Sequence, residues 1–487
     1  MSLAAGDFRA IRSAIAAIPP DASADAVGAN AARLEEIYAP ETHAAALDPA
    51  TPIVLGSRGS GKSFWAGVLF HSDTRVAAAR AYPRLGLDRI EVRFGYTGIG
   101  GPNGVSVDAI DAAVAEGGGH DDAKAFWWAT ILSAADRSAG NTAARPSGFL
   151  GLARDYEARE DQLLAHETRL RAEGKSLLVV YDALDTVART WPRRRLLTET
   201  LLEVVWAMRA YRAIRLKLFL RPDQIDDDAL RFVELPKLRT GAICLEWSAV
   251  DLYGLLFARL ALAPDQEASD AFARLLRLNN LPQGDGDAIL TRRWPLAFNP
   301  VNQKALMTAL AGQYMGQGAY AFKKGNTYDW PMTHLGDARA EVTPRSFLGM
   351  MIAAARHLTP PVDRVITPEG IRHGLRAASK TRVDQLHQEF PWIKGVLAPL
   401  AGLLLPQRED EVYQVWHRAE TVARLIADAE NSYLPPFPDG DRHGEHELFL
   451  ALERIGVMFR RNDDRLDMPD LFRVAAKLLK KGAIAPV

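Results

Sequence analysis

The 487-residue sequence has a single cysteine, Cys244, so it can form no internal disulfide, and a reducing compartment is expected. No stretch reaches the ~18 uninterrupted apolar residues of a membrane-spanning helix, which argues against a membrane partner. The first residues, Met1-Ser2-Leu3-Ala4-Ala5-Gly6-Asp7, lack the charged and apolar regions of a signal peptide, so a cytoplasmic protein is expected. Excess charge is also lacking. Lysine plus arginine (59) nearly cancels aspartate plus glutamate (60), so any nucleic-acid contact needs a local patch rather than a bulk attraction. Neither a repeat of about 20–50 residues nor a heptad run is present. What remains is the composition of a folded globular protein, 48% hydrophobic and 24% charged, with a length that calls for two to four domains.

One segment departs from this even background. Gly56-Ser57-Arg58-Gly59-Ser60-Gly61-Lys62-Ser63 follows the apolar run Ile53-Val54-Leu55 and leads into Phe64-Trp65-Ala66-Gly67-Val68-Leu69. It is a complete G-x-x-x-x-G-K-[ST] phosphate loop between a predicted strand and a predicted helix. Glycines let the backbone N–H groups turn inward around an anion, and the helix N-terminus adds its dipole. Lys62 offers a mobile charge for the β- and γ-phosphates, and Ser63 a hydroxyl for Mg²⁺. Residues 56–64 are therefore the expected nucleotide-binding segment. A guanine-specific Asn-Lys-x-Asp motif is absent, which favours ATP over GTP.

Four further apolar runs read as buried parallel strands: Ile90 to Phe94, Leu177 to Tyr181, Leu216 to Leu220, and Ala242 to Leu245. Helical-period sequence separates them, the pattern of an α/β sheet. After about residue 250 amphipathic segments take over, at Asp251 to Leu262, Ala268 to Leu278, Arg345 to His357 and Pro368 to Ala378, around a loop-rich stretch at 279–344. Pro435-Pro436-Phe437-Pro438-Asp439-Gly440 reads as a linker before a compact tail. The expected organisation is an N-terminal helical segment (1–48), a phosphate-loop core (49–250), an α-helical lid (251–400) and a small helical or winged-helix-like C-terminal domain (401–487).

Asp182 ends the apolar strand Leu177-Leu178-Val179-Val180-Tyr181, where a carboxylate holds Mg²⁺ directly or through water. Ser63 and Asp182 are thus the expected metal-site pair. Asp185 either orients the attacking water or joins an ion pair. Ala183 stands where many hydrolytic phosphate-loop ATPases place a glutamate, so hydrolysis relies on Asp185 or on Glu91, or is slow and leaves a nucleotide-gated switch. In ATPases with an extra strand between the phosphate-loop strand and the Asp-bearing strand, the tip of that strand faces the γ-phosphate. Arg221, at the tip of Leu216 to Leu220, would stand there and distinguish triphosphate from diphosphate through a bidentate guanidinium contact, an exposed loop arginine being the alternative. Arg345, in Thr343-Pro344-Arg345-Ser346-Phe347-Leu348, opens a helix with proline in its first turn and is a candidate to reach the nucleotide from a lid.

Together these elements, over roughly residues 35 to 400, resemble the additional-strand P-loop ATPases, and within them the AAA+, STAND and KAP-like bacterial branch. The resemblance implies a helical lid with sensor arginines, nucleotide-dependent self-assembly, and roles in signalling or phage defence. Two features depart from the family pattern: Ala183, and the 120 positions between Lys62 and Asp182, which imply an insertion at about 97–150. Gly98-Ile99-Gly100-Gly101 and Gly117-Gly118-Gly119 within it read as flexible loops.

Other features have plainer readings. Trp127, Trp128 and Trp247 are expected in cores. His334 and Asp337 have no further ligand nearby, so no structural zinc is expected. Arg193-Arg194-Arg195 reads as a solvated face, with an arginine finger toward a neighbouring subunit as the alternative. In the tail, Arg473, Lys477, Lys480 and Lys481 at helical spacing read as a solvated face, with contact to nucleic-acid phosphates or an acidic protein as the alternative. The expected function is an ATP- and Mg²⁺-dependent ATPase whose nucleotide state controls homo-oligomer assembly or partner engagement. A DNA-associated motor or loader is the alternative, and a small-molecule kinase a third reading.

Overall fold

Five short apolar runs lie side by side in the computed structural model: β1 (Ile53–Leu55), β2 (Ile90–Tyr96), β3 (Ser176–Tyr181), β4 (Ile214–Leu220) and β5 (Ile243–Cys244). The structure describes residues 3–19, 32–188, 190–225, 230–357, 363–429, 433–437, 443–482 and 485. All five strands form where the apolar runs predict them. They are parallel in the order β2-β3-β4-β1-β5, with Leu55 opposite Leu220, Tyr181 opposite Leu218 and Tyr96 opposite Tyr181. A parallel sheet is buried on both faces, which is why these strands read as continuous apolar runs. β4 therefore separates β1 from β3, and all the strands end at one edge.

The chain divides into two compact units, Asp21–Glu246 and a second made of Met1–Pro20 with Trp247–Val487. In the first unit, Trp127 is fully buried on the helix His120–Ser138 and donates to the Leu197 carbonyl at 2.9 Å. The predicted insertion at 97–150 is thus largely helix, and Trp127 and Trp128 are core residues as expected. Trp247 is only half-buried and Cys244 is exposed at the sheet edge. Residues 36–51 wrap against the sheet: Tyr82 Oη donates to the Pro40 carbonyl at 2.6 Å, and Trp65 Nε1 to His43 Nδ1 at 3.0 Å. Lys217, inside β4 and fully buried, donates to the carbonyls of Ala46, Asp48 and Thr51 at 2.7, 3.0 and 2.7 Å.

The second unit is helical. Its first helix, Ala5–Ala17, packs on Gln266–Leu278 and Pro344–Ala355 instead of heading the sheet unit. Arginines fix it there: Arg274 bonds Asp7 at 2.6 Å and Arg12 Nε donates to the Val365 carbonyl at 2.7 Å. The expected 1–48 segment is therefore split, its helix in one unit and residues 32–48 in the other. Pro344–Ala355 crosses Pro368–Glu389 where Gly374 meets the Met350 carbonyl so closely that any Cβ would collide. The stretch expected to be loop-rich holds the helix Pro300–Ala311, capped by Asn299 accepting from Val301 N at 2.9 Å.

The C-terminal segment, expected as a separate domain, packs with the preceding helices. Pro368–Glu389 contacts Asp470–Arg473, and Ser379 Oγ accepts from Ala475 N at 2.9 Å. Here β6 (Leu404–Leu405) pairs in parallel with β9 (Leu479–Lys480), and β7 (Phe459–Arg460) forms a hairpin with β8 (Leu466–Asp467). The helix expected to carry the basic residues of the tail is only Asp470–Arg473. Arg473 is 0% exposed and bonds Asp470, while Lys480 lies in β9 and bonds Asp467 at 2.9 Å. The four basic residues share no helix face, so the solvated helix face expected of them is not formed, nor the helical spacing on which the alternative of phosphate contact rested. Residues 438–440 of the predicted linker lie outside the described residues.

Replacing Lys217 with methionine removes a donor from three carbonyls, of which the Asp48 carbonyl keeps the Thr51 N–H at 2.9 Å, at about 1–3 kcal/mol of destabilisation. Lys217→Met should lower the unfolding midpoint and speed hydrogen exchange in the 43–52 peptide. Unchanged exchange there would mean that the lysine does not hold this segment.

Candidate nucleotide site

β1 ends at Leu55, and the Gly56 N–H continues the ladder by donating to the Leu220 carbonyl at 3.1 Å. The chain then turns through Gly59 and Gly61. Gly61 caps the helix Lys62–Phe70 at φ +102°, a left-handed conformation that a side chain strongly disfavours. A Cβ on Gly56 would collide with Ser60 Oγ, so tight packing keeps that position small as well. The helix axis therefore begins at the loop, and its unpaired N–H groups face the same space as the loop. Lys62 Nζ donates inward to the Gly56 carbonyl at 2.6 Å and the Ser57 carbonyl at 3.1 Å. Phe64 is half-buried and edge-on to Trp65 at 5.7 Å between ring centroids, which ties the helix start to the core.

Asp182 directly follows β3, and its N–H donates to the Tyr96 carbonyl at 3.0 Å. It is 2% exposed, and its Oδ2 is buried without a hydrogen-bond partner. Burial raises its pKa, and nearby Asp185 adds to the rise; the Ser63 hydroxyl, the Ala183 N–H and Lys62 oppose it only in part. Ser63 and Asp182 are thus neighbours, as the sequence predicted. A hydroxyl and an under-satisfied carboxylate are hard oxygen donors of the kind Mg²⁺ takes from a protein, so these residues fit the ion.

Ala183 adopts φ +54°, uncommon for a residue with a side chain. Gly98, also predicted as part of a flexible loop, lies against it: a Cβ at 98 would sit 3.1 Å from Ala183 Cβ and 2.8 Å from Thr186 Oγ1. The loop is held there by Thr97, whose N–H donates to the Val105 carbonyl at 3.1 Å. This close approach gives a physical reason for the glycine at 98.

Arg221 follows β4 beside the phosphate loop and is embedded in acids. Its Nε and Nη2 donate to Asp223 at 2.9 and 2.8 Å, and its Nη1 lies 3.6 Å from Asp185. Asp223 also meets Arg194 at 3.5 Å. Burial alone would raise the Asp223 pKa, but the two arginines hold it down at about 2. Arg194 is buried, and Arg193 bonds Asp111 at 2.7 Å and the carbonyls of Val114 and Ala115. The predicted solvated face is thus wrong for both, because acids and carbonyls from other elements fold over them. Asp223 and Arg194 were missed as site residues; the cue was the acid two positions after Arg221.

Glu91 is not at the site. It pairs in register with Leu177, five residues before Asp182, roughly 16 Å toward the other end of the sheet. It accepts from Ser138 Oγ at 2.8 Å and pairs with Arg93. Arg345 lies in the helical unit, in the first turn of Pro344–Ala355, whose cap is Thr343 Oγ1 accepting from Ser346 N at 3.3 Å.

A buried carboxyl whose folded-state pKa is raised destabilises the fold. Its full cost is present above the raised pKa and fades as pH falls through it toward the unfolded value. Asp182→Asn should therefore raise the melting temperature of the ligand-free protein near pH 8, with the gain shrinking on acidification. A lower melting temperature at every pH would contradict the burial argument.

No protein-family model, no curated protein and no solved structure matches the chain, so its functional reading comes from the site's own chemistry.

Proposed function

We propose that the chain binds ATP with Mg²⁺ in the Gly56–Ser63 loop and hydrolyses it slowly, its nucleotide state governing self-assembly or engagement of a protein partner. The observation that carries the reading is the buried Asp182 carboxyl, one oxygen without a hydrogen-bond partner, beside the Ser63 hydroxyl and next to a complete phosphate loop. Such an arrangement is unfavourable for the empty fold and useful only where a cation can satisfy it. The strand order also supports it, since β4 separates β1 from β3 as in the additional-strand ATPases that the sequence resembles.

In this reading the loop N–H groups and the helix start hold the phosphates, and Lys62 leaves its two loop carbonyls to neutralise the β- and γ-phosphates. Ser63 and Asp182 hold the ion, which when bound neutralises charge developing on the phosphoryl oxygens. Ala183 supplies no base. Asp185 is then the acid nearest the site for orienting water. It is tied to Arg221, so a γ-phosphate that draws the guanidinium away also frees the carboxylate. Slow turnover follows from that shared pair.

The charge-assisted contact from Lys62 is worth about 1.5–3 kcal/mol. Calorimetry should find that Lys62→Ala weakens ATP·Mg²⁺ binding roughly ten- to hundredfold, since each 1.4 kcal/mol is a factor of ten. Asp182→Asn should retain ATP binding without metal and lose the gain that Mg²⁺ gives the wild type. Wild-type affinity in Lys62→Ala would end the proposal.

A further inference from the structure

Between Asp287 and Asp329 the chain has no acidic residue, and the segment carries Arg292, Arg293, Lys304, Lys323 and Lys324. The first three are neutralised by Asp251, Asp287 and Asp329. Lys323 and Lys324 have no acidic partner among the described residues. They stand on a loop whose neck is closed by a bridge between Tyr314 and Asn326 and by Met315 N donating to the Gly325 carbonyl at 2.9 Å. The neck is anchored below. Met315 is fully buried, and Tyr328 Oη donates to the buried Gln303 at 2.7 Å.

Above this neck the loop presents aromatic surface to solvent. Tyr320 is 71% exposed and Phe322 56% exposed, and Lys323 Nζ sits 4.8 Å from the centre of the Tyr320 ring. Burying such rings is the usual outcome, so two of them on one glycine-flanked tip, beside two unneutralised lysines, mark a contact surface. The charge is of one sign, which selects a polyanion. The aromatic rings select one whose flat groups are free to stack, and duplex bases are not.

We propose that the Gly316–Gly325 loop binds single-stranded nucleic acid, with Tyr320 and Phe322 stacking on bases and Lys323 and Lys324 on the phosphates. This does not depend on the ATP reading, and either can fail alone. Recognition of this kind is sequence-tolerant and salt-dependent.

The test is fluorescence anisotropy of the full-length protein with a labelled oligothymidylate of about 20 nucleotides. The wild type should bind it more tightly than a duplex of equal length. Tyr320→Ala/Phe322→Ala should weaken binding at least tenfold. Lys323→Gln/Lys324→Gln should lower the slope of log affinity against log salt by about 1.4. Circular dichroism melting of each variant should match the wild type, because the substituted side chains are exposed. Absent wild-type binding, equal affinity for duplex, or full binding by the aromatic double variant would each overturn the proposal. Capture of the protein by phosphatidylserine vesicles without oligonucleotide binding would assign the loop to a membrane surface instead, and would also overturn it.

Discussion

Parallel pairing of β4 between β1 and β3 is the constraint on which the site depends. Because the three strands run the same way and nearly in register, their ends bring Gly56, Arg221 and Asp182 to one edge of the sheet. Neighbouring strands are about 4.8 Å apart, so the ends of β1 and β3 stand roughly 10 Å apart with the end of β4 between them, and the side chains of Ser63 and Asp182 meet across that gap. The position of β4 is itself fixed by two buried polar side chains, one at its middle and one at its start. Lys217 satisfies three carbonyls, and Glu167 accepts the N–H groups of Arg212, Ala213 and Ile214 at 2.8–3.1 Å. Ion and dipole pairing at these two points thus holds the register that the chemistry at the strand's end requires.

The upper edge carries a chain of alternating charge, Arg194–Asp223–Arg221–Asp185, that reaches from the helix Trp191–Ala207 to the Asp182 turn. In the proposed function, an incoming phosphate would compete with Asp223 and Asp185 for Arg221. A ligand shifts such an arrangement only through its different affinity for the two states, and the acids set how much of that difference is needed. Arg221 is buried among acids rather than exposed.

Local signals were legible in the sequence and long-range ones were not. The strand–turn–helix around Gly56 to Ser63 and the five strands are each written in short runs of consecutive residues, and each is found where those residues predict it. Strand order depends on which helices cross which face, and no short window contains that. Lys217 hides inside Leu216 to Leu220 because a lysine in a buried strand is tolerated only when distant carbonyls converge on it. Arg473 and Arg194 read as surface residues for the same reason. Glu91 was a plausible base until the register carried it to the far end of the sheet, and the helix Ala5–Ala17 reads only as part of an N-terminal segment while its partners include Arg274, 267 positions away.

The most direct measurement is a crystal structure grown with a slowly hydrolysed ATP analogue and Mn²⁺. The account predicts an anomalous peak bonded to Ser63 Oγ and adjacent to Asp182, with phosphate density enclosed by Gly56 to Ser63 and Lys62 Nζ turned from its loop carbonyls to a phosphate oxygen. Nucleotide density elsewhere, or a metal that leaves both Ser63 and Asp182 untouched, would contradict it.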